Sequence, residues 1–174
     1  TNLITLYTVS KKLKFIYKKP RGVDILSEEN LDGFYKLIKE FYDFVIQNIK
    51  AYQKFFIEKS LSLQQLRENN SHLLFRPIGL VLLAKIYVYF SKLGKIDFLK
   101  KNINKIDFTL PGKHFDKVTW NNGKMEAKSS NQVLAYELCL HLLDHLDIEK
   151  YEDFEKRFED ITKGSRGKIP NKVV

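Results

Sequence analysis

The sequence predicts a mainly α fold, an irregular helical bundle with one small β-hairpin near residues 115–128. Three observations carry this. Apolar residues recur at helical spacing through most of the chain. The segment from Leu73 to Phe90 is apolar nearly all round, as a helix at the centre of a bundle must be. Asn122-Gly123 supplies the positive φ of a tight turn between Val118-Thr119-Trp120 and Lys124-Met125-Glu126.

In chain order, Leu6, Val9, Leu13 and Ile16 step by 3, 4 and 3, one face of an amphipathic helix that Pro20-Arg21-Gly22 ends. Ser27 with Glu28 and Glu29 marks a helix start, a cap followed by acids in the first turn. Leu31, Phe34, Ile38, Phe41, Val45, Tyr52 and Phe55 then predict one long helix to about Glu58, with Asn48 the polar residue on its stripe. Ser62 to Glu68 is a short helix candidate, interrupted at Asn69-Asn70-Ser71. Pro77 either kinks the central helix or opens its first turn, which would start it near Arg76. Asp97 to Ile103 is a further short helix. Pro111-Gly112 is a turn, and the hairpin follows it. Asn131 is the expected cap of a helix burying Val133, Leu134, Leu138, Leu142 and Leu146. Ile148 to Ile161 is a charged amphipathic helix carrying Tyr151, Phe154 and Phe158, and residues 163–174 are an irregular basic tail.

Composition narrows the function classes. The 174 residues fit a single helical domain and are enough to bury a core. Their start at Thr1 suggests a fragment or C-terminal region of a larger protein. A single cysteine, Cys139, excludes a disulfide framework and a cysteine-based zinc site. The apolar run Ile78 to Phe90, broken by Gly79 and Lys85, is too short to span a membrane. The eight glycines form no phosphate-cradling loop, which argues against an ordinary nucleotide-binding enzyme. The expectation is a soluble, cytoplasmic piece without a cofactor.

The net charge of +9 is unevenly placed. Lys11, Lys12, Lys14, Lys18, Lys19 and Arg21 form a run without an acid. Ten lysines from Lys85 to Lys128 face four acids, whereas Asp147 to Asp160 has seven acids against three cations. Separate faces of opposite sign point to an anionic partner for the basic ones, nucleic acid first. Solvated surface lysines are the plainer reading of any one cluster.

Four constellations could carry chemistry. Asp116, Glu126 and Lys128 have the residue types of a Mg²⁺-dependent nuclease, two carboxylates for the metal and a lysine for water and phosphate. Gln132 and Tyr136 follow at a spacing that resembles the helix motif of RecB-like nucleases. Little other strand is present for the central sheet such a fold needs, and a solvated charged strand explains the same residues. His141 and His145 stand at i and i+4 with Asp144 between them, but lack a third metal ligand. Arg67, His72 and Arg76 could grip an anion or form a structural ion pair. Trp120, beside Lys117 and Lys124, could stack on a base or pack on the body.

The stretch from Leu61 through Arg67, His72, Arg76 and Pro77 to Gly79 resembles the C-terminal part of DGQHR-domain proteins. These include the DndB-type proteins of bacterial DNA phosphorothioation systems. The likeness is one of pattern over most of the chain, and Arg67 through Gly79 is its more specific part. It implies a role around DNA modification or defence, with DNA binding and transcriptional control described for the DndB type. The Asp-Gly-Gln-His-Arg motif that names the family is absent from this sequence. The resemblance therefore implies the helical C-terminal region of such a protein, and a function tied to that motif does not carry over. The expected role is a non-catalytic helical module that contacts the DNA backbone through Lys11, Lys12, Lys14, Lys18, Lys19 and Arg21 and through Lys117, Lys124 and Lys128. The alternatives are the nuclease and a scaffold or homo-oligomerisation module that binds no DNA.

Overall fold

The computed structural model describes residues 3–14, 16, 28–60, 62, 71–162 and 168–174. Among them the chain is mainly helical. The α-helices are α1 (Leu3–Leu13), α2 (Glu28–Asn48), α3 (Lys50–Phe56), α4 (Pro77–Lys92), α5 (Ile96–Asn102), α6 (Ser129–Leu142) and α7 (Tyr151–Thr162). Strands β1 (Ser71–His72) and β2 (Thr109–Leu110) form one short antiparallel ladder, and β3 (Trp120–Asn121) and β4 (Lys124–Met125) form another. The Ser62–Glu68 helix candidate lies almost wholly outside the described residues.

Helix α4 is the centre, as its apolar circumference requires. Leu80, Leu82, Leu83, Ala84, Ile86, Tyr87 and Phe90 are all buried. α1 and α6 pack on it, and α7 packs on α6. Pro77 occupies the first turn of α4 and does not kink it, because the missing N–H costs nothing there. Leu73 to Phe75 is a separate 3₁₀ turn ahead of it.

The amphipathic faces differ from the sequence reading in detail. α1 ends at Leu13 and buries Thr5, Val9 and Leu13, leaving Leu6 exposed. Leu31 and Val133, both expected inside, also lie on exposed faces. The long helix predicted to Glu58 breaks at Ile49, whose backbone is extended. Asn104 holds the break from the far side of the chain. Its Nδ2 donates to Asn48 O (2.7 Å) and its Oδ1 accepts from Lys50 N (2.9 Å). One side chain thus serves the last carbonyls of α2 and the first amides of α3. The polar Asn48 on the stripe marks this joint.

The hairpin is as placed, and smaller. Trp120 pairs with Met125 and Asn121 with Lys124, with Asn122 and Gly123 both at positive φ in the turn. Val118 and Thr119 form the base of the hairpin rather than paired strand: their amides bond Phe115 O in a tight turn, and Thr119 O accepts from Glu126 N (2.8 Å). Asn131 does not cap α6, whose helix begins two residues earlier at Ser129. Its amide is buried and donates to Val118 O (2.7 Å), tying α6 to the hairpin.

The second ladder, β1–β2, was not expected. It is extended by Leu73 N donating to Phe108 O (2.8 Å) and closed by a polar knot. The Asp107 carboxylate accepts from Thr109 N, Thr109 Oγ1 and Lys113 N, while Asp107 N donates to His114 Nδ1. Burial pushes the Asp107 carboxyl up, but those hydrogen bonds and His114 outweigh it and hold it below the usual range.

The described part of the basic tail is a strap. Val173 N donates to Leu142 O (2.9 Å), His141 Nε2 meets Pro170 O (2.9 Å), and Lys172 pairs with Asp144. Ile169 and Val173 pack against the core. No helix among the described residues is long and apolar enough to cross a membrane.

Candidate nucleic-acid interface

The packing of α1 on α4 gathers lysines that are distant in sequence. Lys12 from α1 and Lys85 and Lys92 from α4 line a cleft of about 390 Å³ with Val88, Tyr89 and Tyr136. Positions 85, 88, 89 and 92 step by 3, 1 and 3, so they share one face of α4. Tyr136 reaches the cleft from α6. No carboxylate stands among the described residues that line it.

Lys85 is the unusual member. It is half-buried within a helix that is otherwise almost wholly apolar. Burial lowers its pKa, and the positive charge of Lys12 lowers it further. Tyr89 Oη is spent on His145 O (3.0 Å), which leaves its ring as wall. The Tyr136 hydroxyl is pushed up to about 12, by burial first and then by Tyr89 and Cys139. Elsewhere on α1, Lys11 lies 4.8 Å over the Tyr7 ring, and just after the helix Lys14 is exposed. Lys18, Lys19 and Arg21 of the expected run lie outside the described residues.

The hairpin lysines are not equivalent. Lys117, itself at positive φ, donates from Nζ to Asn121 Oδ1 (3.2 Å) and Asn122 Oδ1 (3.5 Å), so it braces the turn. Lys124 and Lys128 are exposed. Trp120 is half-buried and packs against the core. Its ring serves packing there, the plainer of the two expectations.

Asp116 forms an isolated bridge with Trp120, and Glu126 N donates to Thr119 O (2.8 Å), so both flank the hairpin. β4, the strand that precedes Glu126, ends at Met125, and Lys128 is already the N-cap of α6. Gln132 Nε2 donates to Ala127 O (2.8 Å) and so closes the approach to that helix. Only two-residue ladders are present among the described residues, not the central sheet that a nuclease of the suggested type is built on. His141 turns to Pro170 and stacks on Phe154 (5.4 Å), while His145 sits edge-on to Phe90 (4.8 Å) and Phe98 (5.1 Å). Burial lowers the pKa of both. No group of three metal-ligating side chains occurs among the described residues.

His72 is a structural cap. Its Nδ1 accepts from Leu74 N (3.3 Å), and its ring lies against Phe75 and Phe108. Arg76 is half-buried at the start of α4, and Arg67 lies outside the described residues.

Sequence reasoning missed Lys85, Lys92 and Tyr89 as members of a site. The signal was available: Lys85 interrupts the most apolar segment of the chain, and Lys92 lies two turns along on the same face. The partnership with Lys12 depends on tertiary packing and leaves no local trace. No family model matches the chain, and no curated protein or solved structure matches it either.

Proposed function

We propose that this chain is a non-catalytic helical module that holds nucleic acid by its phosphates, through the lysine face that α1 and α4 build together. The observation that carries the reading is the convergence of Lys12, Lys85 and Lys92 on one cleft with no carboxylate among its described lining residues. Like charges held side by side, one of them half-buried, cost the unliganded protein free energy that a bound anion returns. Lys11, elsewhere on α1, and Lys14, just after it, are exposed, and exposed Lys124 and Lys128, on and just after the hairpin, offer further backbone contacts. Nothing in this set reads base edges, so the contacts position the polymer without selecting its sequence. The resemblance of Arg67 through Gly79 to DGQHR-domain proteins supports DNA as the polymer and a DNA modification or defence system as its setting.

The test is fluorescence anisotropy with labelled oligonucleotides of unrelated sequence, titrated between about 50 and 200 mM salt. Binding is expected to weaken steeply with salt and to vary little with sequence. Replacing Lys12, Lys85 and Lys92 together by Lys12→Gln, Lys85→Met and Lys92→Gln is expected to flatten the logarithmic salt slope by about 2 to 3. Salt-insensitive binding, or none, returns the chain to the scaffold reading. An unchanged slope in the triple variant moves the interface elsewhere.

A further inference from the structure

The lysine cleft is concave, and that limits what enters it. Its volume of about 390 Å³ lies in the range of roughly 300–1,000 Å³ typical of small-molecule sites. A duplex offers such a cleft only the outside of its backbone, whereas a single nucleotide is of the size that sites of this volume take. The walls divide by chemistry. Lys12, Lys85 and Lys92 supply three ammonium groups, and Val88, Tyr89 and Tyr136 supply an apolar and aromatic surface.

The charge balance narrows the ligand further. A bridging phosphodiester brings a single negative charge, while a terminal phosphate carries roughly −1.5 to −2 near neutral pH. Lys12 and Lys85 bring two positive charges to one concavity, which suits the doubly charged group. A base joined to that phosphate would lie against the tyrosine wall, where stacking is tolerant of base identity.

We propose that the Lys12–Lys85–Lys92 cleft binds a nucleotide carrying a terminal phosphate monoester, with the lysines on the phosphate and Tyr89 and Tyr136 beside the base. This rests on the nucleic-acid reading above and makes it more specific. The same chemistry could come from a strand end or from a free nucleotide. The experiment therefore compares three probes: a single strand phosphorylated at both ends, the same strand with hydroxyl ends, and adenosine 5′-monophosphate.

The phosphorylated strand is expected to bind at least about tenfold more tightly than its hydroxyl counterpart, and the monophosphate to compete with it. Lys85→Met is expected to erase the preference, so that both strands bind alike, and to flatten the salt slope of the hydroxyl strand by only about 0.7 to 0.9, the share of one contact. Lys12→Gln, on a different helix, repeats the test if Lys85→Met does not fold, with circular dichroism checking both. Equal affinity for the two strands overturns this inference and leaves the backbone reading standing. Monophosphate binding without strand binding overturns the backbone reading and identifies a free nucleotide as the ligand. A preference that survives in both variants removes the site from this cleft.

Discussion

Replacing Gly79 by Ala is expected to unfold the protein or cost it more than about 3 kcal/mol. The usual sign is the opposite, since alanine is the better residue inside a helix by about 1 kcal/mol. Here an added Cβ would lie 2.9 Å from Leu74 Cα and closer still to the Leu73 carbonyl. Both neighbours are backbone, so no rotamer change makes room. That backbone is also pinned. Leu73 N bonds Phe108 O, Arg76 N bonds Leu73 O, and Tyr52 Oη donates to Leu74 O (2.6 Å). The 3₁₀ turn lies on the first turn of α4 because residue 79 has no side chain. Gly94→Ala is the control. It meets no atom within 4 Å but has φ +66°, so it should cost only about 1 kcal/mol. Thermal melts read the difference, with about 2–4 °C expected per kcal/mol in a chain of this size. A Gly79→Ala protein melting within about 2 °C of the parent would show that the 3₁₀ turn gives way.

Acid should destabilise the protein well above the range of its carboxylates, and His72 should be one cause. Burial lowers the His72 pKa to about 4 from 6.5, against a weaker upward pull from Asp107. In the folded chain its Nδ1 must stay unprotonated to accept from Leu74 N. Between about pH 6.5 and 4 the unfolded chain therefore binds a proton that the folded chain refuses. The stability is complete above that window and is lost as pH falls through it, by about 3 kcal/mol at the lower end. His141 and His145 are lowered by burial as well and act in the same direction. The Asp107 carboxyl, held low, adds its loss only below that window. His72→Asn keeps an acceptor at the cap position and removes the titration. Urea unfolding of both proteins at pH 7 and pH 4.5 should give the variant the shallower decline. Parallel declines would mean that His72 does not sense the burial described.

What could be read from the sequence was local or periodic. Pro77 at a helix start, the Asn122-Gly123 turn and the apolar circumference of α4 each follow from a few neighbouring residues, and each is where it should be. The misses share a cause. Apart from Asn48 the stripe runs on from Val45 to Tyr52, yet the helix breaks at Ile49, where Asn104, more than fifty residues away, bonds both sides of the joint. Asn131 has the composition of a cap but is drawn across to Val118. The β1–β2 ladder is two residues on each side, too short for any alternation to announce it. The candidate site was half legible for the same reason. The charge of the first helix was plain, and Lys85 was conspicuous in its apolar segment. That the two meet depends on how α1 lies on α4, which is a property of the whole core.

Helix α6 is secured by non-local bonds at both ends. Near its start, Asn131 is bonded to the hairpin, and at its last turn Val173 and Pro170 engage Leu142 and His141. A helix end normally frays, exchanging its amide protons long before the molecule as a whole opens. The strap closes that route at the C-terminal end, so this helix should release its protons late and together. It behaves as a strut between the hairpin and the strap, and the tyrosine wall it contributes to the lysine cleft is held by a rigid element.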